Sequence, residues 1–235
     1  MAEKKNTNYL SRSESKNILK YNIKMMKYYE KEKRRKKDPS EYTTIMRDEN
    51  NIIELDNLET CFYTDNGTVM SVNKVSFDIP KNKIVGVVGE SGCGKSVTSL
   101  SIMQLVQAPQ GQIVGGEIRY NKESLGYDEN GKKICYNIAK MPTEELYNIR
   151  GNDIAMIFQE PMTSLNPVFT IGNQLDEVSF IHNKGITKEQ AKAFSIEMLV
   201  KVGISMPERV YNSYPHELSG GMRQRVMIAM ALCGN

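Results

Sequence analysis

Alternating apolar and polar positions begin at Ile52 and predict a β hairpin. Residues 52–55 and 58–63 are short runs rich in β-branched and aromatic side chains, and residues 69–79 alternate again. Between them, Asp65-Asn66-Gly67 is a turn signal of the kind that closes hairpins. We therefore expect two neighbouring antiparallel strands near the start of the folded region.

Two apolar runs without alternation, residues 83–88 and 153–158, are typical of strands that are buried on both faces. A helix is predicted over residues 95–106. It is followed by a Gly/Pro-rich connection, a strand over residues 117–120 and a short helix over residues 143–149. Buried strands that alternate with helices favour an α/β fold class.

Between residues 171 and 202 the apolar positions recur at helical spacing, and Gly185 and Gly203 act as stops. A further helical run covers residues 226–232. We interpret residues 161–235 as a helical subdomain inserted into the α/β core. Residues 49–160 are then a β subdomain together with the first part of that core.

Residues 1–48 form a basic N-terminal extension. Residues 1–37 hold 13 Lys and Arg against four Glu, whereas the rest of the chain has a net charge of −6. We expect a solvated, partly disordered extension, with contact to anionic lipid or to another subunit as the alternative. A short lysine-rich helix there would have one apolar face, formed by Ile18, Leu19, Ile23, Met26 and Tyr29.

Length and composition exclude several classes of protein. The 235 residues suggest one or two domains, and no apolar run approaches the ~18 residues of a membrane-spanning helix. The polar, lysine-rich N-terminus does not resemble a secretory signal. The four cysteines have no metal-ligand spacing, and an acidic body is not typical of a nucleic-acid-binding surface.

The sharpest motif comes directly after the first apolar run and precedes a predicted helix. It matches G-x-x-x-x-G-K-[ST] in full: Gly89-Glu90-Ser91-Gly92-Cys93-Gly94-Lys95-Ser96, continued by Val97. Glycines let the backbone wrap a phosphate chain closely, and main-chain N–H groups at a helix start attract anions. Lys95 is expected to hold the β- and γ-phosphates, and the Ser96 hydroxyl to ligate Mg²⁺. The motif predicts binding of a nucleoside triphosphate.

A second motif, about 120 residues later, narrows the class of nucleotide-binding protein. The run Leu218-Ser219-Gly220-Gly221-Met222 precedes the last helical run. It resembles the LSGGQ signature of the ATP-binding cassette (ABC) family, with Met222 where many members have glutamine.

A third motif indicates a branch of that family. Gln159 comes after the second apolar run and resembles the Q-loop glutamine. The run Gln159-Glu160-Pro161-Met162-Thr163-Ser164-Leu165-Asn166-Pro167 is similar to that of the ATP-binding subunits of oligopeptide and dipeptide importers, a branch that includes nickel importers. The resemblance covers residues 52–235 and leaves the basic extension outside it.

This resemblance implies a fold, an activity and partners. The fold is an α/β P-loop NTPase (RecA-like) core with an antiparallel β subdomain and an inserted helical subdomain. The activity is ATP hydrolysis with Mg²⁺, in which Lys95 and Gln159 are catalytic and Ser96 and Gln159 face the metal. Two cassettes pair beneath membrane permease subunits at the cytoplasmic face of the cell membrane, and a peptide-binding protein acts indirectly. Ser219, Gly220 and Gly221 then contact the ATP of the second cassette, and no nucleic acid is involved.

The sequence departs from the family pattern after the signature. A strand ending in the Walker B aspartate, the adjacent glutamate and the switch histidine do not appear. We therefore expect part of the core to be missing, apolar faces of the existing strands and of the final helix to be uncovered, and hydrolysis by this chain alone to be weak. Alternatives left open are a non-hydrolysing remnant that only binds nucleotide, and a soluble ABC ATPase acting on nucleic acid or ribosomes.

The residue that stacks on adenine is the least defined part of the site. The family uses an aromatic side chain in the first hairpin, and Tyr63 or Phe62 fits that place. Ordinary strand packing explains both residues equally well.

Overall fold

A computed structural model describes residues 11–159, 164–183 and 185–234 of the chain. It forms two compact units, Met1–Leu146 and Tyr147–Asn235. The predicted boundary between subdomains, after residue 160, lies within the second unit and stays a prediction.

The first unit is built on a five-stranded antiparallel sheet. Its strands have the spatial order β1-β5-β4-β2-β3: β1 Thr43–Ile45, β2 Asn51–Thr64, β3 Gly67–Pro80, β4 Gly111–Tyr120 and β5 Ile134–Asn137. The predicted hairpin is confirmed, because Thr64 pairs with Gly67 across the two-residue turn Asp65-Asn66. Leu55, Leu58 and Ile118 are fully buried in this sheet.

Strand β4 begins earlier than predicted. The segment that its glycines marked as a connection is paired with β2 from Gly111 onward. At Gly116 the backbone has φ +80°, and a Cβ atom there would overlap the carbonyl oxygen of Asn57. This glycine therefore marks an irregular point of the ladder, where the register of β2 and β4 shifts.

The other regular elements of the described chain are helices, in both units. The first unit has α1 Arg12–Arg34, α2 Lys95–Ile102 and α3 Thr143–Leu146; the second has α4 Ile171–His182, α5 Lys188–Lys201, α6 Pro207–Asn212 and α7 Gly220–Leu232. Short 3₁₀ turns cover Pro39–Glu41, Glu123–Leu125, Ile138–Lys140 and Pro215–Glu217. No helix in the described part of the chain has the length and apolar content needed to cross a bilayer.

Within the described part of the basic extension, from Ser11 onward, residues Arg12–Arg34 form a helix; the expectation of a partly disordered extension stays a prediction. Ser11 and Glu14 form a capping box that starts α1. Of the predicted apolar face, Ile18, Met26 and Tyr29 are half-buried, whereas Leu19 and Ile23 are exposed. The helical spacing of apolar residues in the sequence does not show how many of them pack against the sheet.

The two predicted buried strands do not form. Residues 83–88 have no strand partner, and Ile84 and Val88 are almost fully exposed. Residues 153–158 contribute only one isolated bridge, between Ile154 and Arg150. Because a strand exists only within a ladder, an apolar run cannot become one unless another segment lies beside it.

The second unit has its own helical core, to which all four helices contribute. Val226, Met227 and Ala229 of α7 are buried in it. The expectation that apolar faces would be uncovered is thus confirmed for residues 83–88 and wrong for the final helix.

Candidate functional site

The loop Gly89–Ser96 leads directly into α2, as its motif predicts. Gly94 is the N-cap residue, with φ +94°, and Gly92 has φ +81°. Both conformations suit glycine, which has no Cβ to collide with the backbone. Open space surrounds Gly92. The glycine positions therefore produce a wrapped, accessible main chain at the start of a helix.

Lys95 lies across the inside of this loop. Its Nζ donates to the carbonyl oxygens of Gly89 and Glu90, at 2.8 and 2.6 Å. The same Nζ is 3.6 Å from the Sγ of Cys93. An ammonium group is therefore held in the concavity that the loop encloses, where its charge can be transferred to an anion.

The C-terminal side of the loop is fixed by the first unit itself. A Cβ atom on Gly94 would overlap the carbonyl oxygen of Ser71 in β3. The amide and the hydroxyl of Thr98 both donate to the carbonyl oxygen of Gly94, at 2.8 and 3.0 Å. Sequence reasoning did not find Ser71 or Thr98. The four-residue spacing from Gly94 could have indicated Thr98, whereas nothing near Ser71 in the sequence indicates this contact.

Ser96 and Val97 occupy the first turn of α2. Ser96 is exposed, and its hydroxyl makes no hydrogen bond among the described residues. Within the same part of the chain, no group of three or more His, Cys, Asp or Glu side chains could hold a metal by itself. A free hydroxyl beside the loop Gly89–Ser96 fits Mg²⁺, which is often held by few protein atoms together with substrate phosphates.

The signature motif begins helix α7 in the second unit. Ser219 is its N-cap residue, and the serine hydroxyl accepts from the Met222 amide at 3.4 Å. Gly220 and Gly221 are exposed, and open space surrounds the position of a Cβ at each. Leu218 is buried in the helical core. The N-terminus of α7 is therefore exposed to solvent, and the residue that precedes its cap is anchored in the helical core.

A hydrogen bond joins α7 to the segment that precedes it. The Nε of Arg223 donates to the carbonyl oxygen of Pro215 at 2.8 Å. The rings of Tyr214 and His216 stack with their centroids 5.6 Å apart. His216 is thus part of the turn that leads into α7.

Two predicted site residues have contrasting surroundings. Gln159 is exposed and directly follows residues 153–158. Tyr63 is buried, and its ring meets that of Tyr21 in α1 edge-on, with centroids 6.5 Å apart. Burial, together with nearby Cys61, raises the pKa of the Tyr63 hydroxyl. Tyr63 therefore has no open face for a nucleotide ring in this arrangement, whereas neighbouring Phe62 is half-buried.

The chain matches the family model described as ABC transporter over residues 72–235. It is 46% identical over 185 residues to the oligopeptide transport ATP-binding protein AppD of Bacillus subtilis (strain 168), covering 78% of this chain and 52% of AppD. Identity to OppD of the same organism, also an oligopeptide transport ATP-binding protein, is 45%, over 78% of this chain and 48% of OppD. The chain thus spans about half the length of these curated relatives.

Solved structures agree on the fold. The ATP-binding cassette MJ0796, in a dimeric post-hydrolysis state bound to ADP and Pi, matches with a TM-score of 0.61 and 26% identity. The match covers 78% of this chain and 70% of MJ0796. This confirms the α/β P-loop NTPase fold class. With the phosphate-binding loop and the signature both present, the chain belongs to the ABC transporter family of ATPases.

Proposed function

We propose that this chain is the ATP-binding subunit of an importer that takes up oligopeptides or dipeptides through membrane permease subunits. The observation that carries the proposal is the loop Gly89–Ser96, where two glycines at positive φ and the inward Lys95 ammonium form a cradle for phosphates. The names of the relatives supply the class of transported substrate.

Nucleotide binding is assigned to the loop and the first turn of α2. The main chain of Gly89, Glu90, Ser91, Gly92, Cys93 and Gly94 surrounds the phosphate chain, and Val97 completes the turn. Lys95 exchanges its carbonyl contacts for the β- and γ-phosphates, because a charge-assisted pair with an anion is stronger than a hydrogen bond to a neutral oxygen. The amides at the start of α2 add further positive potential.

Ser96 and Gln159 are assigned to Mg²⁺. Bound there, Mg²⁺ would supply positive charge that stabilises the negative charge on the phosphates during transfer. The role of the chain is to orient the exposed Ser96 hydroxyl toward it. Gln159 is placed in this role by its motif, and its exposure leaves the side chain available.

The signature is assigned to the nucleotide of a second cassette. Ser219, Gly220 and Gly221 stand at an exposed helix N-terminus, where amides and the helix dipole attract an anion. ATP bound between two cassettes would then draw them together, and loss of the terminal phosphate would release them. Permease subunits bound near Gln159 would receive this movement at the cytoplasmic face of the membrane.

The test is peptide uptake by cells that carry the complete protein with Lys95→Ala or, as a matched control, Lys83→Ala. Lys83 is exposed and lies outside the loop. We expect Lys95→Ala to abolish uptake of labelled oligopeptides and dipeptides and Lys83→Ala to leave it unchanged. Normal uptake by the Lys95→Ala cells would refute the proposal.

The same cells separate the alternatives. Loss of nickel uptake with normal peptide uptake would assign a different substrate. Normal uptake of both, with a defect in translation or DNA repair, would favour a soluble ABC ATPase.

A further inference from the structure

Helix α1 carries a row of lysines along one face. Their spacings of four, four, three and four residues keep them within one side of a helix, and all five are exposed: Lys16, Lys20, Lys24, Lys27 and Lys31. We call this set the lysine row. At about 1.5 Å of rise per residue, it extends for ~22 Å.

The lysine row has no local counter-charge. The acidic side chains of α1 have other partners: Glu14 caps the helix at Ser11, Glu30 pairs with Lys33 and Arg34, and Glu32 pairs with Arg35. Across the described residues, none of the five lysines forms an ion pair with a carboxylate. The row is therefore a strip of uncompensated positive charge, which attracts polyanions.

Two hydrogen bonds join α1 to the sheet. Asn22 is buried and donates from Nδ2 to the carbonyl oxygen of Thr64 at 2.8 Å. The Oε1 of Glu30 accepts from Nε2 of Gln112 in β4 at 2.9 Å. Asn22 lies on the side of the helix opposite to the row, and Glu30 lies beside one edge of it. The two contacts fix the rotation of the helix, so that the lysines face away from the sheet.

Large apolar and aromatic side chains border the lysine row. Leu19 and Ile23 are 51% and 40% exposed along one edge. Along the other edge, Tyr21 and Tyr28 are 54% and 55% exposed. Such side chains favour the boundary between lipid headgroups and acyl chains, where an apolar body and a polar tip are both accommodated.

We propose that the lysine row binds the anionic phospholipid headgroups of a membrane surface. The row supplies five cations, its borders supply side chains suited to the interface, and the net charge of −6 beyond residue 37 orients the molecule with α1 toward the lipid. A nucleic acid would use the cations but not the aliphatic borders. The proposal is independent of the proposed transport function.

The experiment is sedimentation of the full chain with vesicles of phosphatidylcholine, with or without phosphatidylglycerol. One variant carries Lys20→Gln, Lys24→Gln and Lys27→Gln. A second variant, with the same change in net charge, carries Lys83→Gln, Lys132→Gln and Lys188→Gln, three exposed lysines outside α1. Glutamine has a helix propensity close to that of lysine, and far-UV circular dichroism checks that both variants fold.

We expect binding only to vesicles that contain phosphatidylglycerol. The first variant should bind about 100-fold more weakly, since each lysine near a charged surface contributes about fivefold. The second variant should bind like the unchanged chain. Equal weakening in both variants, or equal binding to neutral vesicles, would overturn the proposal. So would displacement from the vesicles by a single-stranded RNA whose own binding depends on the same three lysines.

Discussion

The carbonyl oxygen of Ser71 lies against Gly94 where any larger residue would place its Cβ. Strand β3 thus supports the loop Gly89–Ser96 by direct contact between two backbones. Gly94 is required there twice, for this close approach and for its φ of +94°.

Gly94→Ala is expected to lower the free energy of unfolding by about 2–4 kcal/mol, from strain at positive φ together with the overlap at Ser71. Gly92→Ala is the matched control, because its φ is +81° but open space surrounds it. We expect it to cost only about 1–2 kcal/mol. Urea unfolding measures both, and equal losses would contradict the support role of Ser71.

Cys93 is expected to be the thiol that reacts in the folded chain. Cys61, Cys135 and Cys233 are buried, whereas Cys93 is exposed in the loop. Burial raises the pKa of Cys135 to about 12 and that of Cys233 to about 11, so few thiolates exist there at neutral pH. Mass spectrometry after brief alkylation should show one modified cysteine.

Nucleotide should protect that cysteine. Because the loop main chain surrounds the phosphates in our proposal, ATP is expected to slow alkylation of Cys93 several-fold. Adenosine, which has no phosphates, is the control and should leave the rate unchanged. An ATP-independent rate would argue against binding at this loop.

Glu54 makes the first unit sensitive to acid. It is fully buried, with its carboxylate accepting from the amides of Arg47 and Asp48 at 3.0 and 2.8 Å and from Asn51 Nδ2 at 3.1 Å. Burial acts to raise its pKa, but these hydrogen bonds and the Arg47 charge outweigh it, so that the pKa lies below the ordinary value of 4.5. Its stabilising contribution is therefore complete above about pH 5 and is lost as the pH falls below 4.5.

Glu54→Gln should test this. We expect a loss of about 1–3 kcal/mol at pH 7, since the amide replaces a charged acceptor with a neutral one. The variant should also lose less stability than the unchanged chain between pH 5 and pH 3. Glu129→Gln, at an exposed position, is the control. Parallel pH profiles for the unchanged chain and Glu54→Gln would show that this carboxylate does not carry the effect.

Ser219 is expected to have two separable roles. Ser219→Ala removes the N-cap of α7 and should cost ~1 kcal/mol of stability. Thr187→Ala removes the cap of α5 and should cost about the same, but it lies outside the signature. In the complete transporter, only Ser219→Ala should reduce ATP-dependent association of two cassettes, measured by light scattering. Equal effects of both variants on association would reduce Ser219 to a structural residue.

Local patterns predicted the parts of this fold that depend on local interactions. The turn at Asp65-Asn66 and the start of α2 at Lys95 are set by backbone geometry within a few residues. The strand predicted over residues 83–88 required a partner elsewhere, which its own apolar pattern cannot supply. The contact between Ser71 and Gly94 was likewise invisible, because it joins two backbones distant in sequence.

Met222 stands where many members of the family have glutamine, and its side chain packs against the helical core. Its amide, by contrast, belongs to the Ser219 cap. The outer surface of this motif thus consists of main chain, glycine and one hydroxyl, none of which changes with the side chain at position 222. A change of side chain at position 222 therefore alters the packing of the helical core and leaves the exposed surface of the motif as it is.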